Sequence, residues 1–280
     1  MNPWDDSPLV PGAFLVATPL FIVDAFTDKP FRGNPAAVCL LDAAREATWM
    51  QQLAGEMNLS ETAFVWPEVG GWRLRWFTPR VEVDLCGHAT LATAHVLWQT
   101  ARVGGDSPIE FLTRSGRLTI RQSEVGIEMD FPAVRGVACD DPGDLCEALH
   151  VSARSIVGNN MDYLVEVQGE SIVRELRPDF ARLAALPVRG IIVTSRSDSP
   201  EYDFVSRFFA PRVGVPEDPV TGSAHCCLGP FWGERLGKAD LVGYQASARG
   251  GIVRVGVRGD RVLLGGQAVT VVSGYLEREE

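Results

Sequence analysis

The sequence predicts an α+β protein made of two pseudo-symmetric lobes that arose by duplication. One observation is a long internal repeat. Another is that segments with strand-like and helix-like hydrophobic periodicity alternate within each copy. The third is composition: 46% of the 280 residues are hydrophobic and 22% are charged, which is enough apolar surface for a sizeable core.

The repeat links the two halves of the chain. "RWFTPRVEV" at 75–83 matches "RFFAPRVGV" at 207–215, and Gly87-His88-Ala89 matches Gly222-Ser223-Ala224. From Gly87 onward the two copies stay 135 residues apart, a period too long for a solenoid. We therefore expect an N-terminal arm at 1–18, a first lobe at 19–135 that is joined by a C-terminal strand at about 268–280, and a second lobe at 136–267.

Hydrophobic periodicity predicts the elements of each lobe. In the first lobe we expect strands at 20–26, 36–41 and 72–77, a hairpin at 118–131, and helices at 47–58 and 88–99. In the 72–77 strand, Trp72, Leu74 and Trp76 should face the core while Phe77 lies on the opposite, half-exposed face. In the second lobe we expect strands at 162–167, 190–194 and 203–210, two more around Gly259-Asp260, and a helix at 222–236.

Charge and cysteine usage exclude several partners. The formal net charge is −10 and no basic stripe is present, so nucleic acid is not an expected partner. No stretch approaches 18 apolar residues, so we expect no membrane span. Six cysteines without a CxxC pair indicate reduced thiols in a cytoplasmic protein, and the scattered His and Cys residues predict no metal site. The oligomeric state is open, with a homodimer as one candidate.

The repeated Gly-polar-Ala motif places a small-residue turn before each of two predicted helices. A helix N-terminus presents unpaired N–H groups and a partial positive charge, and glycine lets a ligand approach the backbone closely. Two such termini facing each other across a cleft would bind a carboxylate and stabilise a developing enolate. His88 and Ser223 would be the first side chains at the two termini, or else they are simple helix caps.

Two acidic residues are candidates for proton transfer. Glu61 lies in "NLSETAF", between a predicted helix and an apolar strand, and Asp218 lies in "VPEDPVTGS", four residues before Gly222. Taken alone, each pattern also fits an exposed carboxylate or ordinary turn chemistry.

Four long motifs resemble the PhzF-type phenazine-biosynthesis isomerase family, which belongs to the diaminopimelate-epimerase-like superfamily. They are "FIVDAFTDKPFRGNPAAVCLL", "NLSETAF", "RWFTPRVEVDLCGHATLATAHVL" and "RFFAPRVGVPEDPVTGSAHC". The resemblance covers nearly the whole chain from about residue 19. It implies two similar lobes, each a mixed β-sheet curled around a central helix, with the site between them and no metal or organic cofactor.

The resemblance also implies roles for single residues. Glu61, His88 and Asp218 match the family's catalytic positions, with Glu61 moving the proton. Asn34, Gly87, Gly222 and Ser223 match its substrate-binding positions. The implied activity is a cofactor-independent isomerisation of a small carboxylate-bearing metabolite. An amino-acid epimerase or racemase and a catalytically silent binding protein remain alternatives.

Cys86 distinguishes the isomerase from the epimerase. Superfamily epimerases use two thiols, one from each lobe, and Cys86 stands where the first belongs. A helix N-terminus would lower its pKa and make it nucleophilic. Its repeat counterpart, however, is Thr221, whose hydroxyl is too weak an acid to be the matching base.

Overall fold

A computed structural model describes residues 18–277 except 106 and 125, so residues 1–17 of the arm predicted at 1–18 and the last three residues lie outside the described part. The strands are β1 (Pro19–Ala25), β2 (Asn34–Leu40), β3 (Glu61–Glu68), β4 (Gly71–Phe77), β5 (Glu82–Val83), β6 (Ile109–Thr113), β7 (Gly116–Ser123), β8 (Gly126–Pro132), β9 (Val137–Ala138), β10 (Ser155–Gly158), β11 (Asp162–Glu166), β12 (Gly190–Arg196), β13 (Phe204–Ala210), β14 (Val215–Asp218), β15 (Asp240–Gln245), β16 (Gly251–Arg258), β17 (Arg261–Gly266) and β18 (Ala268–Tyr275). The helices are α1 (Ala47–Met57), α2 (Gly87–Gln99), α3 (Leu145–Leu149), α4 (Glu170–Glu175), α5 (Phe180–Ala185) and α6 (Gly222–Leu236), and a 3₁₀ turn spans Pro211–Val213.

The strand pairing repeats itself along the chain. In the first half, β1–β2 is antiparallel, β2–β3 parallel, β3–β4 antiparallel, β4–β6 parallel, and β6–β7 and β7–β8 antiparallel. The second half follows the same order of parallel and antiparallel pairings, in the pairs β10–β11, β11–β12, β12–β13, β13–β15, β15–β16 and β16–β17. The sequence repeat is therefore a repeat of topology, and the α+β fold of two pseudo-symmetric lobes is confirmed.

The two lobes join through equivalent strands. β8 pairs antiparallel with β17, and Met129 lies opposite Leu264, its own counterpart in the repeat. A pseudo-twofold axis therefore passes between these two residues. Outside this seam, β9 pairs with β10, and the C-terminal strand β18 pairs antiparallel with β1. The lobe boundaries at 135 and 267 stay predictions.

Each lobe curls around one helix made mostly of small residues. Nine residues of α2 are buried, and ten residues of α6, including Pro230, are buried. Both helices share one hydrophobic core with the strands around them. At 15 residues α6 is the longest described helix, and no helix in the described part of the chain has the length and apolar character of a membrane span.

Two local predictions need correction. The first helix ends at Met57 rather than Asn58, because Asn58 adopts the left-handed conformation with φ 50° and caps the helix. Phe77 is not half-exposed: it packs edge-on against Phe64 at 5.5 Å in a second core under α1. The alternation in β4 predicted one buried face, but α1 covers the other face as well.

Candidate active site

The first turns of α2 and α6 meet at the seam between the lobes. A Cβ placed on Gly87 would lie 3.5 Å from the Cα of Gly222, and a Cβ on Gly222 would lie 3.6 Å from the Cα of Gly87. A side chain larger than a methyl group would fill the space between the two termini. The prediction that both N-termini point into one cleft is therefore confirmed.

Neither His88 nor Ser223 caps its helix. The N-cap residues are Cys86 and Thr221, and neither side chain makes a capping hydrogen bond. Helix geometry leaves the first N–H groups of each helix without intrahelical acceptors. The partial positive charges of two helix termini make the cleft a favourable place for an anion.

Glu61 and His88 face each other inside the cleft. Glu61 is the first residue of β3, which runs parallel to β2, and His88 is the second residue of α2. The Glu61 Oε2 and His88 Nε2 atoms are 3.2 Å apart, and 19% of the Glu61 side chain is exposed. The carboxyl group is thus open to a ligand on one side only.

Asn34 ties the two lobes together at the site. It is fully buried at the start of β2, and its Nδ2 donates to Asp218 Oδ1 at 2.8 Å and to the Val220 carbonyl at 2.9 Å. Its Nδ2 also lies 3.2 Å from His88 Nδ1. Asp218, at the end of β14, accepts a second hydrogen bond from the Thr221 hydroxyl. The residues predicted for catalysis from both lobes are therefore in one hydrogen-bonded cluster.

This cluster favours one tautomer of His88. Asn34 Nδ2 uses its two hydrogens on Asp218 and Val220 and has no lone pair, so it cannot accept from a protonated His88 Nδ1 at 3.2 Å, and the contact favours an unprotonated Nδ1. The Cys86 Sγ atom also lies 3.5 Å from Nδ1. In this tautomer the proton sits on Nε2, on the Glu61 side. Nε2 is buried and has no well-aligned partner among the described residues, so its N–H is free to donate to a ligand.

Burial separates the pKa values of the three titratable groups. Desolvation, reinforced by the negative charge of Asp218, raises the pKa of Glu61 to about 8. Desolvation raises the pKa of Asp218 to about 6, against the hydrogen bonds from Thr221 and Asn34, and lowers the pKa of His88 to about 3. At neutral pH the site holds a protonated Glu61, an ionised Asp218 and a neutral His88, the pattern of an acid and base pair tuned by environment.

The pKa of Glu61 predicts a pH-dependent stability. Because the folded state keeps a proton that the unfolded state releases above pH 4.5, the free energy of unfolding should fall as pH rises from about 4.5 to about 8. Asp218, with a pKa raised from 3.8 to about 6, contributes a fall of the same sign below about pH 6, so Glu61→Gln should lose the fall between about pH 6 and 8 and gain stability relative to wild type at pH 9. A ¹³C NMR titration of Glu-labelled protein should show one carboxyl titrating near pH 8 that is absent in Glu61→Gln and retained in the exposed-site variant Glu56→Gln. A Glu61 resonance titrating below pH 5.5 would contradict the burial argument.

Cys86 does not behave as the sequence suggested. The helix N-terminus was expected to lower its pKa, but burial and the neighbouring Glu61 carboxyl raise it well above the ordinary value. The desolvation penalty on a buried thiolate exceeds the stabilisation from the helix terminus. Cys86 is therefore a neutral thiol at physiological pH.

The cleft has a volume of about 490 Å³, which suits a small metabolite. The predicted site residues that line it are Glu61, His88, Asp218, Gly87, Gly222 and Ser223. Its apolar wall consists of Phe131, Met161, Phe208 and Val215. Arg189 is the one basic side chain among its described lining residues. Its Nε donates to Asp162 Oδ1 at 2.9 Å and its guanidinium lies 5.4 Å from the Phe208 ring centroid, so it is held rigidly at the edge of the cleft.

Glu61, Cys86 and His88 also place one ligand atom each within 4.8 Å of one another. The thiol lies against His88 Nδ1, the carboxyl lies against Nε2, and the Cys86 thiol also hydrogen-bonds to the Glu61 carboxyl. The thiol and the carboxyl thus approach opposite ring nitrogens while contacting each other. A metal ion could use only one of those nitrogens.

Comparison with known proteins agrees with this geometry. A family model described as "Phenazine biosynthesis-like protein" (PhzC-PhzF) matches residues 23–274. A relative named as an uncharacterized isomerase of Halalkalibacterium halodurans is 52% identical over 94% of this chain and 99% of its own length. The chain belongs to the PhzF family. The crystal structure of a PhzF-family protein from Enterococcus faecalis is 41% identical, with a TM-score of 0.90 over 94% of this chain and 100% of that chain.

The PhzF fold extends to more distant enzymes. A probable proline racemase from Agrobacterium radiobacter shares the fold with a TM-score of 0.59 at 11% identity, over 92% of each chain. This likeness shows the epimerase-like fold alone, whereas the names of the closer relatives support an isomerase family. Neither defines the substrate.

Sequence analysis did not identify three side chains that contribute to the PhzF-family site. Gln245 at the end of β15 donates to the Asp218 carbonyl at 2.7 Å and accepts from the Thr221 N–H at 2.9 Å. Thr221 donates to the Asp218 carboxyl, and Arg189 borders the cleft. Only Thr221 had a signal in the sequence, as the repeat counterpart of Cys86. Gln245, at the end of β15, and Arg189, just before β12, approach the site only in three dimensions.

Proposed function

We propose that this protein is a cofactor-independent isomerase that moves a proton within a small carboxylate-bearing metabolite, with Glu61 as general acid/base. The observation that carries the proposal is a carboxyl group of raised pKa beside a neutral imidazole, opposite two facing helix N-termini. A raised pKa makes the carboxylate a stronger base once it ionises, and makes its acid form available near neutral pH.

The substrate carboxylate would bind at the N–H groups of Gly87 and Gly222 and the Ser223 hydroxyl. Ionised Glu61 would then break a C–H bond on the carbon next to the carboxylate and take the proton. The electron pair would move into an enolate, whose oxygen lies near the helix termini and the His88 Nε2–H. Glu61, after partial exchange of its proton with solvent, would return a proton to a different carbon of a conjugated substrate, on the same face. No atoms are gained or lost, so the step is an isomerisation.

The remaining residues would position these groups. Asn34 of the first lobe would hold Asp218 of the second lobe in place, and its contact with His88 Nδ1 favours the Nε2–H tautomer. Ionised Asp218 raises the pKa of Glu61. Arg189 would contact a second polar group of the substrate, because its Nη1 N–H groups are not used in the pair with Asp162.

An epimerase or racemase would need a second base on the opposite face of the substrate. The position equivalent to Cys86 is Thr221, and its hydroxyl already donates to Asp218. Cys86 itself is held as a thiol. Both features favour the one-base isomerisation.

Solvent deuterium provides the test of turnover. A metabolite library of small carboxylates would be screened by thermal shift, and each hit followed by ¹H NMR in D₂O with wild-type protein. An isomerase should convert a hit to an isomer and exchange deuterium at one of the carbons involved. If hits bind in the cleft and neither convert nor exchange, the protein is a binding protein and the proposal is wrong.

Ser223→Ala should weaken binding of a carboxylate hit by about 1 kcal/mol, the net contribution of one hydrogen bond. Ser223 is half-buried at the second position of α6 and lines the cleft. Isothermal titration would measure the change, with Ser171→Ala, at an exposed position of α4, as the matched control. Equal affinities for the two variants would remove Ser223 from the anion site.

A further inference from the structure

A second cavity of about 500 Å³ lies on the lobe seam, apart from the catalytic cleft. Its walls come from the connection between β1 and β2, from the turn between β15 and β16, and from the junction of β17 with β18. None of the residues that line it lines the cleft. It is therefore a separate concave site.

The charges around this cavity are unbalanced. Lys29, Arg32 and Arg254 line it, and none of the three has an acidic partner within 4.0 Å in the described part of the chain. A fourth cation, Arg249, is neutralised by the buried Asp24 at 2.7 Å. With Asp28 as the one acidic lining residue, the unpaired side chains carry a formal charge of +2. A surplus of positive charge is unusual on a chain whose net charge is −10.

The cavity floor is rigid. Arg249 donates from Nε to the Gly33 carbonyl at 2.8 Å and from Nη2 to the Arg32 carbonyl at 2.9 Å. The Gly33 N–H in turn donates to the Gly250 carbonyl at 2.8 Å. These bonds hold the loop that carries Lys29 and Arg32 against the turn that precedes Arg254. The cations are thus attached to a backbone that needs no rearrangement to receive a ligand.

The uncharged polar groups at the cavity are donors as well. The Tyr244 ring lies against the Gly250 backbone, where a Cβ would be 2.1 Å from the Tyr244 hydroxyl. That hydroxyl makes no hydrogen bond to the described residues and borders the cavity beside the Gln267 side chain. The side chains at this cavity carry a formal charge of +2 and offer several hydrogen-bond donors, which suits the binding of a dianion.

We propose that this cavity is a second ligand site that binds a phosphate dianion, either free or as a phosphate monoester. Arg32 and Arg254 offer the planar N–H pairs that suit phosphate oxygens, and Lys29 adds a point charge. An open, concave pocket of this volume fits a small molecule and lacks the extended basic stripe that a nucleic acid would follow.

The test is a titration of ¹⁵N-labelled protein with inorganic phosphate and with glycerol 3-phosphate at constant ionic strength. Both should shift the amide signals of residues 27–33, 250–254 and 266–267. Arg254→Gln should weaken binding about tenfold. The matched control is Arg121→Gln, which removes another exposed strand arginine without an acidic partner in the described chain.

Tighter binding of glycerol 3-phosphate than of phosphate would identify an organic phosphate as the ligand, and equal binding would identify free phosphate. Shifts confined to the amides around Gly87 and Gly222 would overturn the proposal while leaving the catalytic anion site intact. Equal affinities for Arg254→Gln and Arg121→Gln would overturn it too. The result is independent of turnover, so it does not depend on the proposed isomerase activity.

Discussion

Glu61→Gln should lower turnover of an identified substrate by a factor of at least about 100, whereas Cys86→Ala should leave most of it. Glutamine keeps the size of the side chain but can neither take nor return a proton. Cys86 is a buried thiol of raised pKa, so its loss removes a contact with His88 and no base. Initial rates of isomerisation by ¹H NMR would measure both variants.

Two measurements make this prediction specific. Glu56→Gln, an identical change at an exposed position of α1, should keep wild-type turnover. Thiol alkylation should inhibit only in part. If Cys86→Ala is inactive while Glu61→Gln still turns over, the one-base isomerase is wrong, and a thiol-based epimerase takes its place.

Asn34→Leu should lower the free energy of unfolding by about 2–4 kcal/mol, because it leaves buried acceptors without a donor. Asn34 is fully buried and donates to the Asp218 carboxyl and the Val220 carbonyl, across the seam between the lobes. Leucine keeps the branching at Cγ and is bulkier than asparagine, so the substitution removes the hydrogen bonds without creating a cavity. The pKa of Asp218 should also rise, since the Asn34 hydrogen bond lowers it.

Urea-induced unfolding at pH 7 would measure this loss. Asn160→Leu makes the same change at an exposed position and should stay within about 0.5 kcal/mol of wild type. A loss smaller than 1 kcal/mol for Asn34→Leu would mean that Asn34 does not hold the lobes together. A large loss accompanied by an unchanged pKa of Asp218 would contradict the hydrogen bond between them.

The sequence by itself determined the plan of the molecule. The repeat predicted two equivalent lobes, and the structure adds only that the pseudo-axis passes between Met129 and Leu264. The Gly87 and Gly222 motifs predicted two helix termini at one cleft. These features can be read from the chain because the duplication preserved both local periodicity and the spacing of turns, and neither depends on knowing which surfaces pack together.

Only the tertiary structure decided the electrostatics of the site. The direction of the Cys86 pKa shift depends on burial against Glu61, which outweighs the local effect of the helix terminus. The burial of Phe77 depends on α1 covering the outer face of β4. Arg189 borders the cleft and Gln245 bonds to Thr221 and Asp218, although both lie outside the Gly87 and Gly222 motifs and far from each other in the chain. Desolvation and long-range contacts are properties of the packed state, so no local pattern of residues specifies them.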